Sequence, residues 1–278
     1  MRQNRRNAKV GVGARLGQHF LKSPWAARAL ARAAGIGSDD TVLEIGPGRG
    51  ALTRELLAVS QKVVAIEKDE ALAALLNEKF SNEIQSGALT VIAGDVRDVD
   101  TGKPGKIGRY IDLSGQYIVA ANIPYYITGE IIRQFLTTAR QPRAMALLVQ
   151  KEVARRIVSN KESLLSLSVK AYGNPKVVIK VPRGNFSPPP NVDSAVLLIE
   201  NISRKFFSNL DEELFFKVLH AGFKSKRKFL LNNLADSFGK DEVTRAFAQC
   251  EINPKARAED VPLIAWQCIA KQLLASRD

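Results

Sequence analysis

The stretch "TVLEIGPGRGALTRELL", Thr41–Leu57, decides the fold of this chain. It opens with a short apolar run that ends in glycine, which is typical of a buried parallel strand. "ALTRELL" follows with the spacing of a helix. The glycines between them, Gly46, Gly48 and Gly50, let the backbone turn sharply and let a ligand approach without meeting a Cβ atom. The stretch therefore predicts a strand, a glycine loop and a helix that open an α/β sheet.

The alternation of strand and helix patterns continues to about residue 200. Further strands are predicted at Lys62–Glu67, Leu89–Asp95, Gln116–Ile123, Ala144–Gln150, Lys176–Pro182 and Ser194–Glu200. The segment "RGNFSPPPNVD" separates the last two strands, which indicates a hairpin. This order predicts an α/β doubly wound, Rossmann-like sheet that ends in an antiparallel hairpin.

The pattern changes after about Ile202, because every later segment has a helical period and none has a strand pattern. We therefore predict three parts. Residues 1–16 form a flexible basic arm, residues 17–202 the sheet domain, and residues 203–278 a small all-helical C-terminal domain.

The charge of the chain points to an anionic partner. The 278 residues include 41 Lys and Arg against 28 Asp and Glu, a formal net charge of +13. Such an excess favours nucleic acid over an anionic membrane surface, and the basic arm has the character of a phosphate-binding segment. Apolar residues make up 45% of the chain, enough for a sizeable core.

The two cysteines, Cys250 and Cys268, have no neighbours that would complete a metal site, so no metal is predicted. A disulfide is not needed at this size, and a reducing cytoplasm fits. No apolar run reaches the roughly 18 residues of a membrane helix, and the N-terminus lacks the apolar region of a secretory signal. We expect a cytoplasmic protein with no membrane partner.

Acidic residues end the strands that follow the glycine loop. Glu67 ends the second strand, where its carboxylate can accept bonds from both hydroxyls of a ribose, and Asp95 ends the third. The carboxyl ends of neighbouring parallel strands meet at one edge, so these residues outline a nucleoside site.

The glycine loop alone does not determine which nucleotide or nucleoside ligand binds. Residues 46–51 also satisfy the dinucleotide pattern Gly-x-Gly-x-x-Gly/Ala, so a nicotinamide enzyme remains an alternative, as does a tight turn without a ligand. Glu44 favours S-adenosylmethionine, because its carboxylate would stand where a dinucleotide brings its pyrophosphate. Asp95 favours it too, since a carboxylate suits the exocyclic amine of adenine.

The fourth strand ends in "NIPYY", which suits methylation of an exocyclic amine. The amide oxygen of Asn122 and the backbone carbonyl of Pro124 can each accept one hydrogen of an adenine N6. That arrangement aims the nitrogen lone pair at a methyl donor. Tyr125 can stack on the base, which contributes roughly 1–3 kcal/mol. Catalysis would rest on positioning and hydrogen bonding, with the base taken out of its stack.

Seven motifs occur in an order that resembles the ribosomal RNA adenine N6,N6-dimethyltransferases, over nearly the whole chain. They are "GQHFL", "EIGPGRGALT", "AIEKD", "GDV", "NIPYYIT", "QKEVARRI" and "FSPPPNVDSAV". The C-terminal segment "LHAGFKSKRKFLLNNL", Leu219–Leu234, is most similar to the bacterial small-subunit branch. The resemblance implies that residues 17–202 form an S-adenosylmethionine-dependent methyltransferase domain.

The resemblance implies a role for individual residues. The implied cofactor-binding residues are His19, Leu21, Gly46, Gly48, Glu67, Asp95 and Asn122. Within this set Gly46 would line the methionine part, Glu67 the ribose and Asp95 the adenine. The implied catalytic residues are Asn122, Pro124, Tyr125 and Phe186, with Phe186 on the face of the target base opposite Tyr125. A packed core ring remains the alternative for Phe186. His19 stands where many relatives have Asn, and Tyr126 where they often have a second Asn.

The implied substrate is 16S rRNA in an immature small ribosomal subunit, modified by a protein that needs to be no more than a monomer. Lys224, Lys226, Arg227 and Lys228 are the candidate RNA-binding residues, with a solvated helix face as the alternative. Two other functions stay open. One is a large-subunit (23S) adenine methylase of the macrolide-resistance type, and the other is a non-catalytic RNA-binding relative.

Overall fold

The computed structural model describes residues 19–37, 39–98 and 116–275, so the predicted arm at residues 1–16 lies outside the described residues. Seven strands in this part of the chain form one mixed sheet, and two short strands form a separate antiparallel pair. The strands are β1 Phe20–Leu21, β2 Thr41–Ile45, β3 Lys62–Glu67, β4 Leu89–Ala93, β5 Tyr117–Asn122, β6 Ala144–Gln150, β7 Asn174–Val181, β8 Phe186–Ser187 and β9 Ser194–Glu200.

Helices connect the strands and follow the last of them. They are α1 Pro24–Ala33, α2 Ala51–Leu57, α3 Glu70–Lys79, α4 Ser81–Gln85, α5 Thr128–Thr137, α6 Lys151–Val158, α7 Leu164–Tyr172, α8 Glu212–Gly222, α9 Leu230–Phe238, α10 Lys240–Gln249 and α11 Leu263–Ala275. Across the described ranges, no helix combines the length and the apolar character needed to cross a membrane.

The sheet has the order β4-β3-β2-β5-β6-β9-β7. Its neighbours from β4 to β6 are parallel, whereas β9 runs antiparallel to both β6 and β7. This arrangement confirms the predicted doubly wound sheet with an antiparallel hairpin at its end. The strand order reverses between β2 and β5, and ligands of such sheets collect outside the carboxyl ends of the strands at that point.

Both faces of the sheet are buried, which explains the near-continuous apolar strands. In β2, Val42 points into one core cluster and Leu43 into the other. Helices α1 and α2 cover the first face with Leu30 and Leu56, and α5 covers the second with Phe135. All five side chains are at most 1% exposed. This packing fixes the strand ends, and with them the loops that carry the site.

The helices after β9 share a core of their own around Phe215 and Trp266, both fully buried. Helix α7 also contributes to this core, through Leu167 and Ala171. The helical core therefore draws on residues from both sides of the predicted boundary at residues 202 and 203, and the division into domains stays a prediction.

Cys250 and Cys268 form a disulfide with their Cα atoms 5.9 Å apart. This bridge was not predicted, because a chain of this size does not need a disulfide. The bridge arises from packing: Cys250 follows α10 directly, Cys268 lies within α11, and these helices pack against each other.

Candidate active site

A cavity opens at the carboxyl ends of β2, β3, β4 and β5, at the point where the strand order reverses. Its empty space amounts to about 1110 Å³, part of which is open solvent. Nine of the predicted site residues line it together. They are His19, Leu21, Gly46, Gly48, Glu67, Asp95, Asn122, Pro124 and Tyr125. The parallel strands bring the residues from Gly46 to Tyr125 to one edge, and His19 and Leu21 join them from β1, which pairs with β8.

The glycine loop between β2 and α2 has a left-handed backbone at Gly46 and Gly50, with φ of +66° and +76°. A Cβ at Gly46 would meet nothing closer than the backbone oxygen of Asn122, 4.0 Å away. A Cβ at Gly50 would lie 2.5 Å from the ring of Phe80 on the far side of the loop. Gly46 therefore keeps space open in the cavity, whereas Gly50 lets the start of α2 pack closely.

Glu67 connects the loop to the cavity wall. The residue is only 3% exposed, and its two carboxylate oxygens accept hydrogen bonds from the N–H groups of Gly48, at 2.9 Å, and Asp69, at 3.0 Å. Each oxygen keeps a second lone pair. The carboxylate can therefore hold the loop and still accept bonds from two hydroxyls.

Asp95 forms ion pairs with two basic side chains, Lys68 at 3.0 Å and Arg97 at 2.5 Å. The Arg97 guanidinium, helped by the Arg97 N–H and by Lys68, holds the pKa of Asp95 well below its usual range. Asp95 is therefore an anion throughout the neutral range. Neither partner was among the residues predicted from the sequence. The available signal was a basic residue directly after Glu67 and another two positions after Asp95.

Asn122 lies at the end of β5, and its side-chain nitrogen donates to the backbone oxygen of His19, 3.1 Å away. His19 is fixed in turn, since its Nδ1 lies 2.9 Å from the carbonyl oxygen of Pro188. The pairing of β1 with β8 brings these segments together. The amide of Asn122 is thereby oriented before any ligand binds.

Pro124 and Tyr125 begin the short 3-10 turn between β5 and α5. The carbonyl oxygen of Pro124 accepts a bond from the N–H of Ile127 at 3.2 Å, which uses one of its two lone pairs. The hydroxyl of Tyr125 lies 2.8 Å from the hydroxyl of Ser194 in β9, and its ring centroid lies 5.9 Å from that of His19. Partial burial raises the pKa of Tyr125, and the Ser194 contact opposes that rise. The Tyr125 ring is thus held at the cavity while Tyr126 is 71% exposed.

The structure does not bring Phe186 to the cavity. The ring is 1% exposed and packs in the core cluster on the α1 side of the sheet. Its strand, β8, pairs with β1, and Phe186 faces Leu21 in that register. In this conformation a base cannot stack on the ring, so the geometry favours the core alternative over the predicted catalytic role.

Glu44 also lies in a different position from the one predicted. It is fully buried, it does not line the cavity, and its carboxyl oxygens have no hydrogen-bond partner among the described residues. Burial raises the pKa of Glu44 to about 8, with the charge of Glu67 adding to the rise and nearby Thr53 opposing it. A largely neutral, buried carboxyl cannot repel a pyrophosphate, so this argument for S-adenosylmethionine does not hold.

The four predicted RNA-binding residues lie in the turn between α8 and α9, and all four are exposed. Asn233, buried in α9, organises this turn by donating to the backbone oxygens of Gly222 and Ser225 at 2.7 and 3.0 Å. The basic residues are therefore displayed by a fixed loop and not by a helix face. They do not line the cavity.

The residues of the cavity fit an adenosine-containing methyl donor. Open space above Gly46 leaves room for a chain of ligand atoms, and the Glu67 carboxylate has acceptor capacity for hydroxyls. Among the described residues, no group of three or more His, Cys, Asp or Glu side chains could hold a metal ion.

A Rossmann-like sheet with this glycine loop, these acidic strand ends and an Asn-Ile-Pro-Tyr turn defines a methyltransferase. The model of one family, ribosomal RNA adenine dimethylase, matches residues 12–274. The chain belongs to this family, whose members are S-adenosylmethionine-dependent enzymes.

Two bacterial relatives illustrate the similarity. The chain is 39% identical to ribosomal RNA small subunit methyltransferase A of Dehalococcoides mccartyi, over 91% of this chain and 86% of that protein. It is 38% identical to the protein of the same name from Moorella thermoacetica, over 92% and 91% of the two chains.

Solved structures show the same fold. A dimethyladenosine transferase from Plasmodium falciparum superimposes with a TM-score of 0.74 at 24% identity, covering 90% of this chain and 96% of that one. The 23S rRNA methyltransferase ErmE superimposes with a TM-score of 0.72 at 24% identity, covering 91% and 99%.

Proposed function

We propose that this protein transfers methyl groups from S-adenosylmethionine to N6 of adenosines in small-subunit (16S) rRNA, giving N6,N6-dimethyladenosine during ribosome biogenesis. The observation that carries the proposal is the oriented Asn122 amide beside Pro124 and Tyr125, at the mouth of a glycine-loop cavity. The small-subunit substrate is supported by the names of the relatives that are 38–39% identical to this chain.

The chain's own groups suffice to activate the amine. The nitrogen of Asn122 is committed to His19, so its oxygen is the atom left to accept one N6 hydrogen. The second lone pair of the Pro124 carbonyl accepts the other hydrogen. These two bonds pull the amine towards tetrahedral geometry and direct its lone pair at the donor. They strengthen as positive charge develops on N6, which is stabilisation matched to the transition state.

S-adenosylmethionine supplies an electrophilic methyl group when it is bound. In this proposal His19, Leu21 and Gly48 contact it, Gly46 lines the methionine part, Glu67 holds the ribose hydroxyls and Asp95 the adenine amine. The methyl moves from sulfur to N6, which leaves S-adenosylhomocysteine and a positively charged amine. No strong general base is required, because the amine becomes acidic only after this transfer and then releases its proton to water. The proposal includes no metal. Tyr125 stacks on the target base, and its contact with Ser194 keeps the ring in place.

The exposed basic loop and the net charge of +13 support binding to the RNA backbone. The loop takes phosphates of an immature small subunit, while the shape of the RNA around the target selects the site. We further propose that the protein acts as a monomer in the cytoplasm, with residues 203–278 as an RNA-contacting domain.

The test uses separated small and large ribosomal subunits from cells that lack this modification. Each is incubated with the protein and S-adenosylmethionine, its RNA is digested, and dimethyladenosine is measured by mass spectrometry. The expected result is dimethyladenosine in small-subunit RNA alone. Dimethyladenosine only in large-subunit RNA would indicate a 23S rRNA methylase of the macrolide-resistance type. RNA binding without any dimethyladenosine would indicate a non-catalytic RNA-binding protein.

A further inference from the structure

Asp95 receives four hydrogen-bond donors in this structure. Oδ1 accepts from the backbone N–H of Arg97 and from Arg97 Nε, each at 3.0 Å. Oδ2 accepts from Arg97 Nη2 at 2.5 Å and lies 3.0 Å from Lys68 Nζ. An ionised carboxylate has about four acceptor positions, two on each oxygen. The acceptor capacity of Asp95 is therefore filled by the protein itself.

This saturation conflicts with the role that the proposed function gives to Asp95. An adenine amine can reach the carboxylate only if one of the four bonds breaks. The backbone bond is held by the 3-10 turn Val96–Asp98, so it stays. The side chains of Lys68 and Arg97 are 57% and 43% exposed, and exposed ion pairs break at little cost.

We propose that Arg97 is a competitor of the cofactor for Asp95: its guanidinium occupies the carboxylate in the free enzyme and leaves when an adenine amine binds. The inference rests on the proposed function, because it assumes that Asp95 binds adenine. Arg97 is the side chain to move, since its departure frees an acceptor position on each carboxylate oxygen, whereas Lys68 occupies Oδ2 alone.

A groove beside the cavity can accommodate the guanidinium of Arg97 after it leaves Asp95. Arg97 lines both the cofactor cavity and a neighbouring open groove, whose wall includes Glu130 and Arg133. Glu130, in the first turn of α5, is close enough to interact electrostatically with Arg97. The guanidinium therefore keeps an acidic neighbour after it leaves Asp95.

The test measures the dissociation constant of S-adenosylhomocysteine by calorimetry, without RNA, for wild-type protein and three variants. Arg97→Ala removes the competitor and keeps the backbone bond to Asp95. Arg133→Ala is the matched control, because Arg133 lines the same groove without contacting Asp95. Asp95→Ala tests the adenine contact itself, because it removes both acceptor oxygens. A second ligand, with hydrogen in place of the 6-amino group, is titrated into each protein.

We expect Arg97→Ala to bind S-adenosylhomocysteine about two- to fivefold more tightly, the range of an exposed ion pair. The ligand without the amine should show no gain, and Arg133→Ala should match wild type. Equal or weaker binding by Arg97→Ala would overturn the proposal, and so would an equal gain for both ligands, which indicates a general charge effect. If Asp95→Ala binds S-adenosylhomocysteine like wild type, Asp95 is not the adenine contact and the competition fails, although dimethyladenosine formation would still support the proposed function.

Discussion

The side-chain nitrogen of Asn122 donates to the backbone oxygen of His19, 3.1 Å away and 103 positions earlier in the chain. A carbonyl oxygen only accepts, so the nitrogen must face His19 and the amide oxygen must face elsewhere. The same bond thus fixes the rotation of the amide before a substrate arrives. Preorganisation of this kind lowers the reorganisation needed in the transition state.

Asn122→Ala should lower turnover by about 10²–10³-fold, the loss seen when one transition-state hydrogen bond is removed. The melting temperature should change little, since Asn122 is only partly buried. The measurement is single-turnover methyl transfer to RNA. Asn77→Ala, at an exposed position of α3 away from the cavity, is the matched control. A wild-type rate in Asn122→Ala would contradict the role of the amide.

Tyr125 combines a ring at the cavity with a hydroxyl that contacts Ser194. Tyr125→Phe keeps the ring and should stay within a few-fold of wild type. Tyr125→Ala should weaken productive RNA binding by roughly 1–3 kcal/mol, the value of one base stacked on an aromatic ring. Steady-state kinetics with the RNA substrate measures the effect of each variant. Ser194→Ala, which leaves the ring untouched, should resemble Tyr125→Phe, and equal losses in Tyr125→Phe and Tyr125→Ala would assign the function to the hydroxyl instead.

Replacing Gly46 or Gly50 of the loop with alanine should affect stability and ligand affinity in different ways. Gly46→Ala has strain from its positive φ but no clash, so its cost to stability is about 1–2 kcal/mol, while its methyl group enters the cavity. Gly50→Ala adds a contact of 2.5 Å with Phe80, so its cost is roughly 2–5 kcal/mol. Urea unfolding measures the stability of each variant, and titration with S-adenosylhomocysteine measures its affinity for the ligand. Gly46→Ala should lose more than about tenfold in affinity, and unchanged affinity would place the methionine part of the ligand elsewhere.

Glu44 should make the protein less stable as the pH rises. Burial raises its pKa from 4.5 to about 8, so between these values the folded state holds a proton that the unfolded state has lost. The free energy of unfolding therefore falls with pH across this window, by up to about 1.4 kcal/mol per pH unit from this group. Glu44→Gln removes that proton equilibrium and keeps the shape.

The stability difference between Glu44→Gln and wild type should accordingly grow in favour of the variant from pH 5 to pH 8, and level off above. Urea unfolding at several pH values measures it. Glu78→Gln, on the exposed side of α3, is the matched control. A difference that does not change with pH would show that Glu44 is ionised in the folded protein.

The fold could be predicted because its signals are local. The strands β3, β6 and β9 begin and end where the apolar runs and their flanking residues predict, and the glycines mark the turn after β2. Glu67 and Asn122 end β3 and β5 as these signals predict, whereas Asp95 lies two residues beyond the end of β4, whose predicted end was too late. Parallel topology then places all three at one edge without any knowledge of side-chain contacts.

The remaining features depend on packing and on side-chain rotamers, which no local pattern encodes. The pairing of β1 with β8 joins segments far apart in sequence, and it buries Phe186. The ion pairs of Asp95 depend on how two flexible side chains fold back onto it. The burial of Glu44 depends on helix α2 covering its strand. Such contacts follow from tertiary structure only.

The basic loop between α8 and α9 gives a prediction for RNA affinity. Each phosphate contact releases counterions, so the logarithm of the binding constant falls against the logarithm of salt concentration by about 0.7–0.9 per contact. Replacing Lys224, Lys226 and Lys228 with Gln should reduce this slope by roughly 2 if all three contact phosphates. Fluorescence anisotropy with a labelled small-subunit RNA, at several salt concentrations, measures it.

The matched control replaces Lys240, Lys255 and Lys271, three exposed lysines of the same helical region, and makes the same change in net charge. Because backbone contacts add affinity evenly across sequences, the loop variant should weaken binding to any RNA of this size, whereas its turnover at saturating RNA should stay near wild type. An equal loss of slope in both variants would mean that RNA responds to the overall charge and not to the loop. An unchanged slope in the loop variant alone would remove Lys224, Lys226 and Lys228 from the RNA-binding surface.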